Sequence, residues 1–409
     1  MEGAVSHCRS CGAKLGEVFC DLGTMAVANS YLPPEADPAG EPRFPLCAVV
    51  CPACRMVQLT HVVDASEIFR DYAYFSSASS SWQAHARRFC DELTTRLGLG
   101  AGSLVIEVAS NDGYLLKNFV AEGVPCLGVE PAANVAEVAI AAGVPTEIAF
   151  LTPETAAGIV AAQGRGADLV IANNVLAHVP DINGFTQGLA TLLAPEGVLT
   201  VETPHLLALV EGVQFDTIYH EHFAYWSLLA VERLFARHGL FVFDIEHLPT
   251  HGGSLRLFAS RAPRAASETV LAQRRAEAER GLEGDDFYRG FNERVAEVLA
   301  GFRAWLAARQ AEGKRLAGYG AAAKGNTFLN AAGVSAADLL AVADLSPAKQ
   351  GRLLPGSHVP VVSPEALLAL NPDEILILPW NIAPELVAQL RGAGFTGGLW
   401  TAVPEMRRL

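Results

Sequence analysis

Three features common in other protein classes are missing from this chain of 409 residues. No uncharged apolar run reaches the roughly 18 residues of a transmembrane helix, so we expect no membrane span. The first eight residues contain neither a basic nor an apolar segment, which argues against a signal peptide. With a net charge of −14, the chain lacks the surplus of Lys and Arg that a broad nucleic-acid surface needs. These absences predict a cytoplasmic protein with no nucleic-acid or membrane partner.

Three motifs that would assign a common site are absent as well. Zinc proteases place two His four residues apart on one helix face, whereas His220 and His222 are two residues apart. The loop Glu107–Gly113 has one glycine, so it differs from the G-x-G-x-x-G loop that binds dinucleotides. The Gly and Lys spacing in Gly318–Asn326 does not match a Walker loop. The chemistry must be inferred from what these segments do contain.

Cysteine is concentrated at one end of the chain, since six of the eight Cys fall in the first 54 residues. In a cytosolic protein this indicates metal binding more than disulfides. Cys8-x-x-Cys11 and Cys51-x-x-Cys54 form two knuckles that would complete a closed, structural Zn²⁺ site. Alternative ligands are Cys20, Cys47, His7 and His61. The alternative without a metal is four buried free thiols.

The composition, 51% hydrophobic and 18% charged, is that of a globular protein with two or three domains. Residues 1–75 would form the zinc-binding domain. In residues 76–262, strands such as Leu104–Ala109 and Pro125–Glu130 alternate with helical patterns, which predicts an α/β fold with a doubly wound parallel sheet. The strand-like runs Phe241–Leu248 and Ser254–Ser260 add an antiparallel hairpin.

The rest of the chain divides into a helical connector, residues 263–312, and a smaller Rossmann-like α/β domain, residues 313–409. Apolar residues recur in the connector at spacings of three or four, which predicts one apolar stripe of an amphipathic helix. They are Phe287, Phe291, Val295, Leu299, Phe302 and Leu306.

The loop after the first core strand favours S-adenosylmethionine over NAD. A cofactor without a pyrophosphate needs fewer glycines than a dinucleotide, and Glu107 would meet its amino-acid part. Glu130, at the end of the next strand, is placed to accept the ribose hydroxyls. A purely structural turn is the alternative. The predicted cofactor-binding residues are Glu107, Ser110, Asn111, Gly113, Glu130, Pro131, Asn173 and Asn174.

Two further segments carry ionisable groups. Asp216–His222 packs two imidazoles, two carboxylates and a phenol into seven residues, which favours acid–base chemistry. Gly318–Asn326 follows a strand and opens a helix, so its N–H groups and Lys324 would face an anion such as a pyrophosphate. A tight strand–helix turn is the alternative for that loop.

Taken together, these segments resemble the C-methyltransferases that act on nucleotide-linked 4-keto-deoxysugars. The resemblance spans nearly the whole chain and rests on the Cys knuckles and on motifs in the family's order. The motifs are Tyr72–Ser77, Glu107–Gly113, Asn173–His178, Tyr219–His222, His251–Arg256 and Gly318–Asn326. It implies a zinc-binding domain, a class I methyltransferase core and a C-terminal Rossmann-like domain. One departure is Ala109, which stands where methyltransferase loops often have glycine and would slightly crowd the cofactor.

The resemblance also implies a mechanism. A base removes the proton beside the sugar ketone, and the enolate attacks the methyl group. His222 would be the base, with Glu221 and Tyr219 orienting the sugar or assisting proton transfer. His178 would lie near the substrate, together with Tyr74 in preference to Tyr72. His220 is interpreted as structural.

The substrate implied is a nucleotide sugar, with dTDP as the nucleotide. The residues assigned to it are Tyr72, Ser76, Ser77, Ser254, Tyr319, Lys324 and Asn326. Two alternatives remain: methyl transfer to another carbonyl substrate or to O or N, and a non-catalytic binding module. A monomer or a small homo-oligomer is expected.

Overall fold

The chain forms three sheets in the computed structural model, which describes residues 4–63, 76–78 and 80–409. Within that part of the chain, no helix combines the length and apolar character that a membrane crossing requires. The N-terminal sheet begins with β1 (Val18–Ala26), β2 (Arg43–Val50) and β3 (Val57–Leu59), which pair in antiparallel order. Its fourth strand is contributed by residues 224–225, from much later in the chain.

The central sheet has seven strands with helices between them. In chain order, the elements of this region are α1 (Ser80–Leu97), β4 (Val105–Val108), α2 (Leu116–Ala121), β5 (Cys126–Val129), α3 (Ala133–Ala141), β6 (Thr146–Glu147), α4 (Pro153–Gln163), β7 (Ala167–Ile171), α5 (Ile182–Leu192), β8 (Leu193–Pro204), α6 (Leu206–Glu211), β9 (Ala224–Tyr225), α7 (Leu228–Arg237), β10 (Phe241–Leu248) and β11 (Ser254–Ser260). Of these strands, all but β9, which belongs to the N-terminal sheet, form the central sheet.

The strand order of the central sheet is β10-β11-β8-β7-β4-β5-β6. Neighbours pair in parallel except at β11, which is antiparallel to both β8 and β10. This confirms the α/β fold with an antiparallel hairpin at one edge. The chain crosses from β6 back to β7 on the other side of β4, so the carboxyl ends of β4, β5 and β7 frame a crevice, where such sheets bind ligands.

Local sequence signals explain where the core helices begin. The side chains of Thr152, Asp181 and Ser227 each accept a hydrogen bond from the backbone N–H three residues later, at the starts of α4, α5 and α7. Such caps satisfy N–H groups that have no partner inside the helix. The β4 residues are all buried, which matches a strand covered by helices on both faces.

The connector contains two helices, α8 (Glu268–Glu279) and α9 (Phe291–Ala311), and the predicted apolar stripe lies along α9. Gly281 and Gly290 have φ angles of +77° and lie between them, a conformation that interrupts a helix and favours glycine. Phe287 precedes α9, whereas the other predicted apolar positions are buried along it. Phe291 stacks on Phe19 of β1 with ring centroids 4.4 Å apart.

The C-terminal sheet has six strands in the order β14-β13-β12-β15-β16-β17, of which only β17 is antiparallel. The elements are β12 (Leu316–Tyr319), α10 (Ala323–Ala332), β13 (Val342–Ala343), β14 (Val361–Val362), α11 (Pro364–Ala369), β15 (Glu374–Ile377), α12 (Ala383–Gly392), β16 (Gly398–Thr401) and β17 (Arg407–Arg408). Parallel strands joined by helices make this the expected Rossmann-like α/β unit. Apolar residues of β1, α9 and α10 share one buried cluster, which joins the outer sheets.

Candidate active site and zinc centre

The thiols of Cys8, Cys11, Cys51 and Cys54 converge, with all four Sγ atoms within 4.8 Å of one another. The Sγ atoms of Cys8 and Cys54 are 3.5 Å apart, and those of Cys11 and Cys51 are 3.4 Å apart. A tetrahedral site with Zn–S bonds of about 2.3 Å places its sulfurs roughly 3.8 Å apart. The four thiols therefore fit a structural Zn²⁺ ion.

The two knuckles share one backbone conformation. The carbonyl of Cys8 accepts from Gly12 N at 2.8 Å, and that of Cys51 accepts from Arg55 N at 3.0 Å. The two residues that donate these hydrogen bonds have a left-handed backbone conformation, with φ +76° at Gly12 and +63° at Arg55. Within the described part of the chain, no other His, Cys, Asp or Glu joins this cluster. The alternatives Cys20, Cys47, His7 and His61 thus lie outside it.

The second knuckle is connected directly to the polar segment Asp216–His222. It leads into β3, where Val57 pairs with Tyr225 and Gln58 pairs with Ala224 of β9. Leu59 N also donates to Phe223 O at 3.0 Å. Because β9 begins two residues after His222, the zinc domain anchors the end of the Asp216–His222 segment.

The predicted cofactor loop leaves β4 in a strained conformation. Ala109 and Asn111 have φ angles of +58° and +50°, and Gly113 has +75°. A left-handed alanine costs about 1 kcal/mol or more, which is the physical reason that glycine suits this position. The carboxylate of Glu130 holds the loop by accepting from Asn111 N and from Ala132 N, each at 2.9 Å.

Several buried polar atoms at this crevice lack hydrogen-bond partners among the described residues. They are Oε2 of Glu107, Oδ1 of Asp112 and both amide atoms of Asn174. Burial, followed by the charge of Glu130, raises the pKa of Glu107 well above its usual range. Buried polar groups are nearly always paired, so these atoms fit a polar ligand such as the amino-acid part and ribose of S-adenosylmethionine.

The other predicted cofactor residues support the loop from below or beside it. Ser110 packs against Gly128, since a Cβ added to Gly128 would lie 2.4 Å from the Oγ of Ser110. Gly113 packs against Val144 and Ala139. Pro131 is half-buried, and Asn173 Oδ1 accepts from Glu202 N at 3.2 Å. The backbone N–H groups of Ser76 and Ser77 donate to the side chains of Asn111 and Asp112 at 2.9 and 3.1 Å.

We predict that Glu130→Ala weakens the binding of S-adenosylmethionine by about 1–3 kcal/mol, because the ligand loses an acceptor and two loop N–H groups lose their partner. This corresponds to a rise in Kd of roughly 5- to 150-fold, measured by titration calorimetry. Glu137→Ala, at an exposed position of α3, is the matched control. An affinity unchanged in both variants would remove Glu130 from the cofactor site.

His222 is held by two hydrogen bonds. Its Nδ1 lies 2.9 Å from the carbonyl of Thr217, and its Nε2 lies 2.7 Å from the hydroxyl of Tyr219. A carbonyl can only accept, so Nδ1 carries the proton and Nε2 is the acceptor. The His178 ring packs edge-on at 4.6 Å. Burial, and then the neighbouring His178, lowers the pKa of His222 well below its usual range, which keeps the imidazole neutral.

Glu221 is buried beside this histidine and is held from the zinc domain. Asn29 Nδ2 donates to its Oε1 at 3.0 Å, while Oε2 has no partner in the described part of the chain. Burial raises the pKa of Glu221 to about 7, so the carboxyl can exchange a proton near neutrality. The neighbouring His220 has its Nε2 3.2 Å from Phe44 O, consistent with a structural role.

His178, His251 and Lys324 lie close enough to His222 for their charges to lower its pKa, and the region between these four side chains is called the chamber below. The C-terminal domain contributes Lys324 to it. Lys324 Nζ donates to Asn381 Oδ1 at 2.8 Å and lies 4.8 Å from the centroid of the Trp380 ring. The indole N–H of Trp380 donates to Asp216 Oδ2 at 2.7 Å. Burial lowers the pKa of Lys324, and Asp216 opposes that shift. The structure thus brings the Gly318–Asn326 loop and the Asp216–His222 segment together.

Other predicted substrate residues make contacts within the protein. Asn326 Nδ2 donates to Ala28 O at 2.8 Å, and Ser254 Oγ donates to Thr250 O at 2.9 Å. The hydroxyl of Tyr319 is buried without a partner among the described residues. Tyr72 and Tyr74 lie outside the described residues. In the Gly318–Asn326 loop, a Cβ on Gly320 would lie 2.4 Å from Pro379, so this glycine is needed for packing.

Sequence reasoning missed three residues of this site. Asn29 and Trp380 lie far along the chain from the segment that they hold, and neither belongs to a recognised motif. His251 belongs to a motif but received no role of its own, yet it adopts φ +55° and lies edge-on to Trp82 at 5.6 Å. Burial lowers its pKa to about 4. The two glycines that follow this histidine are the only local signal that could have drawn attention to it.

Comparison with known proteins agrees with this arrangement. Three family models match: a zinc-binding domain at residues 8–69, a methyltransferase domain at 82–244 and a C-methyltransferase C-terminal domain at 249–404. The C-methyltransferase NovU of Streptomyces niveus is 38% identical, over 98% of this chain and 96% of its own length.

Solved structures resemble only part of the chain. Magnesium protoporphyrin IX methyltransferase from Synechocystis, with bound S-adenosylmethionine, is 17% identical and covers 49% of this chain and 99% of its own, with a TM-score of 0.36. The YcgJ protein from Bacillus subtilis is 11% identical and covers 44% of this chain and all of its own, with a TM-score of 0.34. The full-length relative and the three family models show that the chain belongs to the S-adenosylmethionine-dependent C-methyltransferases with a zinc-binding N-terminal domain.

Proposed function

We propose that this enzyme methylates the carbon beside the ketone of a nucleotide-linked 4-keto-deoxysugar, with dTDP as the nucleotide. The observation that carries the proposal is the neutral His222, whose Nε2 is an acceptor in a chamber between the cofactor crevice and the Lys324 loop. A saturated sugar carbon becomes a nucleophile only after its proton is removed, and a neutral imidazole is suited to remove it.

In this reaction, Nε2 of His222 takes the proton from the α-carbon, either directly or through the hydroxyl of Tyr219. The electron pair of the broken C–H bond moves onto the ketone oxygen and gives an enolate. Bound S-adenosylmethionine supplies the electrophilic methyl group. The enolate carbon would attack that methyl group as the bond between the methyl group and sulfur breaks, and the electron pair of that bond would stay on the sulfur of the departing thioether. The ketone re-forms, and the proton remains on the imidazole until solvent removes it.

The surrounding groups would stabilise and orient the sugar. Lys324 places a half-buried positive charge on the C-terminal side of the chamber, and such a charge favours the developing enolate or an adjacent phosphate. Glu221, with a pKa of about 7, can donate to or accept from a sugar hydroxyl. The carboxyl ends of β4 and β7 would hold the methyl donor on the other side.

The test is incubation with labelled S-adenosylmethionine and a panel of nucleotide sugars, with mass and NMR readout. We expect a methyl group on carbon for a dTDP-4-ketosugar and none for the matched 4-hydroxy sugar. Labelling of the 4-hydroxy sugar, or label on oxygen or nitrogen, would favour the alternative of O- or N-methyl transfer. Labelling of a simple ketone without a nucleotide would favour the alternative of another carbonyl substrate.

A further inference from the structure

Trp380 belongs to the C-terminal domain but extends into the catalytic chamber. It begins a short 3-10 turn, Trp380–Ile382, that follows β15. Its indole N–H donates to Asp216 Oδ2 at 2.7 Å. Asp216 is 1% exposed and is the first residue of the polar segment that ends at His222. A hydrogen bond from an uncharged donor to a buried carboxylate is strong and directional.

Asp216 and the carbonyl that orients His222 lie in the same turn. That 3-10 turn spans Phe215–Thr217, and the Thr217 carbonyl accepts the Nδ1 proton of His222. Fixing the Asp216 carboxylate therefore fixes the direction of the Thr217 carbonyl. The direction of that carbonyl decides which nitrogen of His222 carries the proton and where Nε2 points.

The other sides of the indole contact the remaining walls of the chamber. Lys324 Nζ lies over the ring face at 4.8 Å and is bound to Asn381, the neighbour of Trp380. Gly252 lies at the ring edge, where a Cβ would come within 2.3 Å of the indole Cη2. Gln214 Nε2 also donates to Gly252 O at 2.8 Å. Trp380 thus contacts the Lys324 loop, the His251–Gly253 turn and the Asp216 turn.

We propose that Trp380 is a positioning residue for C-methyl transfer, which sets the tautomer and orientation of His222 through Asp216 and Thr217. It also couples that base to the Lys324 loop. The position of His222 relative to a substrate bound against the C-terminal domain is therefore fixed. Trp380 need not touch the reacting atoms. The inference rests on the proposed role of His222 and deepens it.

The test begins with Trp380→Phe, which removes the indole N–H and keeps an aromatic ring. We expect kcat to fall about tenfold, because a small misplacement of a base is costly, while the Kd for S-adenosylmethionine stays unchanged. Trp400→Phe is the matched control, since its indole N–H is buried in the same domain without a partner among the described residues. That variant should keep the wild-type kcat.

A second pair of variants tests the contact from the other partner. Asp216→Asn keeps an oxygen that can accept from the indole N–H, so it should retain most of kcat, whereas Asp216→Ala should lose about as much as Trp380→Phe. The double variant Trp380→Phe with Asp216→Ala should be no slower than the worse single variant, because both remove one interaction. Equal losses in Asp216→Asn and Asp216→Ala would overturn the proposal.

The outcome for His222 separates this inference from the proposed function. If His222→Asn loses its rate while Trp380→Phe keeps the wild-type kcat, as the control Trp400→Phe should, the base assignment survives and the positioning role is wrong. If His222→Asn keeps its rate, the base lies elsewhere, and the assignment of His222 as base and the positioning role of Trp380 both fail. Circular dichroism and the unfolding midpoint of each variant identify any that do not fold, and the Asp216 pair then decides.

Discussion

Replacing His222 by asparagine is expected to lower kcat by about 10²–10⁴-fold, the usual contribution of a positioned general base. Asparagine keeps a group that can donate to the Thr217 carbonyl, but it cannot take a proton. The Kd for S-adenosylmethionine should barely change, because the crevice predicted to bind the cofactor lies at the ends of β4, β5 and β7. Steady-state kinetics and calorimetry measure the two quantities.

Proton removal can also be followed without methyl transfer. Exchange of the sugar α-proton for solvent deuterium, in the absence of the methyl donor, should fall in parallel with kcat if substrate binding alone permits enolisation. His220→Asn is the matched control, since that ring faces the Phe44 carbonyl. If His222→Asn kept most of its methylation rate, Glu221, with its pKa of about 7, would be the next base to test.

Loss of the zinc ion is expected to have the largest effect on stability. A structural zinc site contributes on the order of 10 kcal/mol to folding. Losing a third of that contribution to the free energy of unfolding would lower the thermal unfolding midpoint by roughly 10 °C in a protein of a few hundred residues. We expect Cys51→Ser to show such a drop, with less than one zinc per chain by metal analysis. Treatment of the wild-type protein with a strong chelator should reproduce it.

The matched control for the metal site is Cys47→Ser. Cys47 is a half-buried residue of β2 outside the four-thiol cluster, so this variant should keep its zinc and most of its stability. We expect Cys51→Ser to act mainly on stability. The protein that still folds should keep most of its methylation rate, although β3 and β9 connect the knuckle to His222. Wild-type protein that was folded, stable and free of zinc after purification without chelator would refute the metal site.

Much of the fold was predictable because its signals are local. The hairpin strands Phe241–Leu248 and Ser254–Ser260 match the structure residue for residue, since two strand-like runs and the turn residues 249–253 between them specify a hairpin. The Cys knuckles were predictable for the same reason, because one C-x-x-C turn places two thiols together. The apolar stripe of α9 was predictable from its spacing of three or four residues, and Gly281 and Gly290 mark the interruption between α8 and α9.

The parts of the site that could not be predicted depend on contacts between distant segments. The hydrogen bonds from Asn29 to Glu221 and from Trp380 to Asp216 join residues of different domains. Neither hydrophobic periodicity nor capping patterns carry information about such pairs. The two-residue strand β9 is also too short to give a pattern, and it becomes a strand only because β3 offers it an edge.

The position of β9 affects how the chain folds during synthesis and where it can be truncated. Until residue 225 has left the ribosome, the N-terminal sheet presents β3 as an unpaired edge, and exposed edges promote aggregation. Zinc can bind the nascent knuckles early and hold β3 in place while the core is synthesised. A truncated chain that stops before β9 would therefore carry an open sheet edge, and a core expressed without the first 63 residues would leave the Asp216–His222 segment without an anchor.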